Sequence, residues 1–129
     1  MSATTSVRSL VEKYYGLIDS GRLHESCELM TEDVKFTFAN AEPVFGRDTA
    51  ETAIQMVLDR CTAVRHNVVT AFEAETDGTA TGLFELRIRF DLKNGKVIEL
   101  PGCIFVAVDS DGRFAEQRLY ADMNPVFAE

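Results

Sequence analysis

Three short turn signals divide the second half of this chain at near-even intervals: Thr76-Asp77-Gly78, Lys93-Asn94-Gly95 and Ser110-Asp111-Gly112. Asp-Gly and Asn-Gly supply the positive φ angles that tight hairpins require. A tight hairpin can join only antiparallel neighbours. The segments between these turns are rich in Val, Ile, Phe and Thr, so residues 67–75, 79–91, 97–109 and 113–123 are expected to form an antiparallel meander. In the second segment Phe84, Leu86, Ile88 and Phe90 alternate with Glu85, Arg87 and Arg89. The apolar set is expected to face a core and the charged set to face away from it.

The first half has a different period. Val7, Leu10, Val11, Tyr14, Leu17 and Ile18 recur in steps of three and four, which predicts an amphipathic helix over 7–18, capped by Thr5 or Ser6 and stopped by Ser20-Gly21. A short second helix over 23–30 would bury Leu23, Cys27 and Met30. Val34, Phe36 and Phe38 then alternate with polar or small residues, as a half-buried strand does. Residues 40–46 read as a loop. A third helix is expected from a cap at Asp48 or Thr49, with Ala53, Ile54, Val57, Leu58 and Cys61 on its buried stripe. No repeat, linker or composition break interrupts the sequence. A single α+β domain over 1–129 follows, its helices covering one face of a curved sheet.

A chain of 129 residues buries roughly two-thirds of its unfolded surface, so folding needs neither disulfide nor metal. Thirteen basic residues against 21 acidic ones leave a net charge of −8, which repels nucleic-acid phosphates and anionic membranes. The apolar run 103–108 is far too short to span a bilayer. The opening Met-Ser-Ala-Thr-Thr-Ser lacks the basic start and apolar run of a secretory signal, so a cytoplasmic location is expected. Cys27, Cys61 and Cys103 are widely spaced and read as small buried hydrophobes. With His24 and His66 they complete no zinc spacing. Nothing resembles a phosphate loop or a nucleotide fingerprint. Any catalysis is therefore expected to be acid/base chemistry without metal or cofactor.

The last strand departs from the apolar pattern. Phe114, Glu116, Arg118, Tyr120 and Asp122 share one face, and Ala115, Gln117, Leu119 and Ala121 share the other. A polar and aromatic face in an otherwise apolar sheet suits the wall of a cavity, and the first set is expected to supply it. This facing assumes unbroken alternation. One bulge would turn Arg118 and Asp122 outward.

The order of several motifs resembles the NTF2-like superfamily and, within it, the SnoaL-like branch. They are the helix Val11-Glu12-Lys13-Tyr14-Tyr15-Gly16-Leu17-Ile18-Asp19-Ser20-Gly21, the strand Asp33-Val34-Lys35-Phe36, the helix start Gly46-Arg47-Asp48, His66 at a strand opening, and the tail Arg118-Leu119-Tyr120-Ala121-Asp122. The resemblance implies a cone: a strongly bent antiparallel sheet wrapped around three N-terminal helices and enclosing an apolar pocket. It also implies a homodimer through the outer sheet face, which the stripe Glu85, Arg87 and Arg89 would suit.

Because that superfamily holds isomerases, dehydratases, cyclases, epoxide hydrolases and non-catalytic binding domains, fold alone cannot choose a function. Tyr14 is similar in position to the oxyanion tyrosine of ketosteroid isomerases, whose base falls on Phe38 and whose second oxyanion donor falls on Cys103. Asp19 and His66 resemble the aspartate–histidine pair of scytalone dehydratase, whose second histidine falls on Phe84. A carboxylate bonded to an imidazole fixes its tautomer and supports its charged form, as a general acid/base needs. SnoaL-like polyketide cyclases suggest Asp122 as a base, with Arg118 and Tyr120 orienting the substrate. Limonene-epoxide hydrolases suggest Asp122, Arg118, Asp19, Tyr14 and Asn40, in an order that does not match. The resemblance also turns Cys103 and Phe105 inward, and Glu99 and Glu116 reach the cavity or its mouth. His24, in a polar helix start, is expected to be solvated. The resulting expectation is catalysis by Asp122, His66, Asp19 and Tyr14, with Arg118, Tyr120, Phe38, Asn40, Phe84 and Cys103 against a small apolar cyclic ligand such as a polyketide, terpenoid or steroid-like molecule. The alternative is a non-catalytic ligand-binding or dimerising domain.

Overall fold

A computed structural model describes residues 6–128 of the chain; the opening segment 1–5, with Thr5 as the alternative cap, lies outside them. Helix α1 spans Val7–Asp19. Ser6 Oγ accepts from the Ser9 N–H at 3.0 Å, and the Glu73 carboxylate accepts from the Val7 and Arg8 N–H groups at 2.7 and 3.3 Å. These contacts satisfy first-turn donors that a helix cannot pair internally. Gly21, at φ 78°, ends the helix as expected.

Helix α2, Leu23–Cys27, is shorter than the periodicity suggests, because Met30 already opens strand β1, Met30–Phe38. Met30 is fully buried there, so its place in the helical spacing reflected the shared core. After the short β2, Val44–Phe45, helix α3 spans Arg47–Leu58. Its N-cap is Gly46, at φ 102°, rather than Asp48 or Thr49. Cys61 opens β3, Cys61–Thr76, instead of closing the helix. His66 therefore sits within a long strand, opposite Ile88, and not at its start.

Strands β4, Thr79–Leu92, β5, Val97–Val108, and β6, Phe114–Ala121, complete the meander, followed by α4, Asn124–Phe127. The six strands run in the order β2-β1-β6-β5-β4-β3, with β1 and β6 parallel and every other pair antiparallel. The sheet curls without closing, and its concave face packs on α1 and α3. Phe84, Leu86, Ile88 and Phe90 are buried on that face, while Glu85, Arg87 and Arg89 are exposed on the other. Each large side chain buried here contributes about 1.5–3 kcal/mol.

Two facings differ from expectation. In β5 the buried set is Leu100, Ile104, Val106 and Val108, which turns Cys103 and Phe105 to the convex side. In β6 the buried set is Phe114, Gln117 and Leu119. Phe114 and Leu119 have opposite parity, so both can face the core only if the strand carries one extra residue. It does: Ala107 pairs with Glu116 and Val108 with Phe114, leaving Ala115 over as a bulge. Past that point Glu116, Arg118 and Tyr120 lie on the convex face.

Candidate functional site

Inside the cone lies a narrow apolar cavity lined by Tyr14 and Ile18 of α1, Phe38 of β1, Val57 of α3, His66 of β3 and Gln117 of β6, among others. The space open to the centre of a water-sized body is about 50 Å³, and all space free of protein atoms, mouth included, is about 510 Å³. The free protein thus holds a slot with room for a few waters.

Its most developed polar feature joins α1 to β3. Tyr15 and Asp19 stand four residues apart and so lie on one side of the helix. Both grip the same imidazole. The Tyr15 and His66 rings stack at 4.1 Å and 17°. Asp19 Oδ1 lies 2.7 Å from His66 Nδ1, and Asp19 Oδ2 accepts from the His66 backbone N–H at 2.7 Å. An ionised carboxylate can only accept, so Nδ1 carries a proton, and in the neutral imidazole Nε2 is the nitrogen with the free lone pair. The His66 side chain is 11% exposed, and among the described residues Nε2 has no hydrogen-bond partner. Asp19 is the last residue of α1, where the helix dipole disfavours a carboxylate; the two N–H donors offset that placement. The structure thus brings Asp19 and His66 together.

Tyr14 is 2% exposed and meets Tyr15 and Phe114 edge-on at 5.0 and 5.4 Å. Burial, more than the neighbouring Tyr15 and Cys27, holds its pKa well above that of a free phenol. The hydroxyl therefore remains a donor through the physiological range. Burial likewise raises Tyr15, with Asp19 adding to the effect. Beside Tyr14 stands Gln117, 1% exposed. It leans on the Tyr14 hydroxyl closely enough to lower that pKa slightly. The approach lacks the geometry of a formed bond, and among the described residues neither its Nε2 nor its Oε1 has a hydrogen-bond partner. Sequence alternation assigned Gln117 to the face opposite the expected cavity. The signal that could have recovered it is its pairing with Val106, whose neighbours Ile104 and Val108 point the same way.

The remaining expected residues stand elsewhere. Arg118, Tyr120 and Asp122 do not line the cavity, since the bulge turns their segment outward. On the convex face Arg118 lies 4.0 Å over the Phe105 ring and donates to Glu116 at 2.8 Å and to the Tyr120 hydroxyl at 3.2 Å. Asp122, past the strand end, accepts from the Asn124 N–H at 3.1 Å just ahead of α4. Cys103 lies in a convex-side groove with Glu85 and Tyr120. Its thiol pKa is raised, by burial first and then by Glu85. Asn40 is exposed in a turn. Phe84 is fully buried under α1 without lining the cavity, whereas Phe38 does line it. Glu99 and Glu116 do not reach it. His24 is exposed and bonded to Glu51 at 2.9 Å, which raises its pKa. Among the described residues, no three His, Cys, Asp or Glu side chains gather closely enough to hold a metal ion, and no helix is long and apolar enough to cross a membrane.

A curled six-stranded sheet closed by α1 and α3 over a buried slot is the NTF2-like cone. Residues 11–117 match the SnoaL-like domain, and the chain belongs to that family. No curated protein matches it. Among solved structures, a candidate scytalone dehydratase from Novosphingobium aromaticivorans is similar with a TM-score of 0.80 at 17% identity, covering 92% of this chain and 83% of that one. A candidate polyketide cyclase from Pseudomonas putida is similar with a TM-score of 0.67 at 20% identity, covering 94% and 95%. An NTF2-like protein of unknown function from Exiguobacterium sp. 255-15 gives 0.73 at 17%, covering 88% and 98%. At these identities the likeness is one of fold.

Proposed function

We propose that this chain is an enzyme that moves a proton on a small apolar cyclic substrate bearing a carbonyl or hydroxyl, by acid/base chemistry without a cofactor. The observation that carries this reading is the 2.7 Å contact between His66 Nδ1 and Asp19 Oδ1 at the wall of an apolar slot. With its Nδ1–H donated in a hydrogen bond to Asp19, the neutral imidazole keeps Nε2 as a base. A carbon next to a carbonyl loses its proton to Nε2, and the electron pair moves onto the carbonyl oxygen. The protonated Tyr14 hydroxyl donates to that oxyanion, while Asp19 offsets the charge of the imidazolium. Returning the proton to another carbon isomerises the substrate. Giving it to a hydroxyl leaving group expels water, and attack of the enolate carbon on a second carbonyl closes a ring, the new alkoxide taking the proton back from His66. In this scheme Asp19 is a positioning residue, and His66 and Tyr14 meet the substrate.

The test is deuterium exchange at the α-carbons of cyclohexanone and larger ring ketones in D₂O, followed by proton NMR. The wild type is expected to exceed the buffer rate, and His66→Gln to lower that enzymic rate by about 10²–10⁴-fold. Equal rates for the two proteins overturn the reading. A non-catalytic binder is the second reading, favoured by Phe38 and Phe84 standing where the resemblance expects acid/base groups; ligand-induced stabilisation without exchange assigns it. A homodimer through the convex sheet face belongs to the same proposal, because Phe72, Leu83 and Tyr120 are 68%, 44% and 54% exposed around one groove there. A monomer mass by sedimentation at micromolar concentration removes the dimer.

A further inference from the structure

We infer that Gln117 is a specificity-determining residue, and that its amide reads a ring edge on which a hydrogen-bond donor stands beside a carbonyl acceptor. This rests on the cavity being the ligand site proposed above. Gln117 is 1% exposed, lines the slot, and has no hydrogen-bond partner at either amide atom among the described residues. Buried amides are nearly always paired, and an unpaired one destabilises the free protein. Leu or Met would fill the same volume without that penalty. The neighbours leave little else for the amide to bind: the slot around it is walled by Ile54, Val57, Ile104 and Leu119, and Tyr14 offers one imperfect approach. The open side is the cavity.

A primary amide presents its acceptor oxygen and donor nitrogen side by side, so its full complement is a donor and an acceptor on neighbouring ligand atoms. Two chemistries offer that edge. One is a lactam, with N–H next to C=O in a ring; the other is a ring ketone with an adjacent hydroxyl. A ketone alone fills only the donor half and leaves the Gln117 oxygen unpaired. A site built to pair a polar edge discriminates strongly against the analogue that lacks it. The slot's size suits single-ring probes.

The experiment measures dissociation constants for two matched pairs on the intact chain: 2-piperidone against N-methyl-2-piperidone, and 2-hydroxycyclohexanone against cyclohexanone. The wild type is expected to prefer the donor-bearing member of at least one pair by about tenfold or more, and the preferred pair tells lactam from hydroxyketone. Gln117→Met is expected to abolish the preference. In the absence of ligand it should raise the melting temperature by a few degrees, because it removes an unpaired amide. Equal binding within both pairs, no binding of any probe, or an unchanged preference in Gln117→Met overturns the inference. So does a lower melting temperature in that variant, which would mean that the amide is satisfied in the free protein. The exchange assay on the wild type separates this inference from the acid/base reading. If the probe preference persists where no enzymic exchange is found in the wild type, the reaction falls and the role of Gln117 stands.

Discussion

The two faces of strand β6 treat polar groups in opposite ways. On the convex side Arg118 is bonded to Glu116 and Tyr120 and stacked on Phe105, so each polar group has a partner and water is near. On the concave side Gln117 has no partner among the described residues and faces a narrow, mostly apolar slot. The outer cluster has the sequence features of a site and the energetics of an ordinary surface. The inner group looks unremarkable in sequence, yet it occupies the place where an unpaired polar atom has consequences. Chemistry in this fold should follow burial and orphaned hydrogen-bond capacity rather than density of charged residues.

The strongest way to break that contrast is to substitute one aspartate on each side. Asp19→Asn is expected to lower α-proton exchange by about 10³–10⁴-fold, because an amide in that place no longer holds the Nδ1–H tautomer. Asp122→Asn should leave exchange within about tenfold, since asparagine still accepts from the Asn124 N–H. Equal losses would return Asp122 to the reaction. A stability version of the comparison sets Phe84→Ala against Phe72→Ala. The first empties a fully buried site and is expected to cost about 3–5 kcal/mol in urea denaturation. The second, 68% exposed on the single chain, should change stability by no more than about 0.5 kcal/mol at concentrations where the chain is monomeric. A larger effect that grows with protein concentration is what the proposed convex-face dimer predicts.

Alkaline pH gives a smaller effect. Burial raises the Tyr14 and Tyr15 hydroxyls above their ordinary 10.0 and the Cys27 thiol from 9.0 to about 11. Folded protein therefore keeps protons that the unfolded chain has released. The stability these groups lend is complete below their unfolded values and falls as pH rises through about 9 to 11 for Cys27 and above about 10 for the tyrosines. Melting temperatures from pH 7 to 11 should decline along that limb, and Tyr15→Phe should shallow it. An identical slope in that variant would mean that Tyr15 ionises freely. The smallest change belongs to the outer cluster: Arg118→Met removes the guanidinium from Phe105, Glu116 and Tyr120 and should cost less than about 1 kcal/mol by denaturant titration.

Much of the concave side was legible in the sequence. The Phe84, Leu86, Ile88, Phe90 alternation faces the core as read, and Asp19 with His66 follows from the family resemblance. The facing of β6 was not legible, for a reason found in its neighbour. Residues 103–108 of β5 are apolar on both sides, so they do not reveal which side is buried. Phe114 and Leu119 then disagree in parity, and only pairing with β5 shows that Ala115 is the surplus residue. Gln117 was hidden by the same bulge.

Apart from the short β2 and α4, which were not read, periodicity and turn chemistry alone thus determined the long elements, the three hairpins and the helical side of the cone. These are local properties, set by backbone dihedrals within a few residues. Tertiary structure decided which face of each late strand is inside, and with it which polar groups meet the cavity. A one-residue slip reverses every side chain after it, and the pairing partner that fixes the slip lies across a hairpin or farther along the chain.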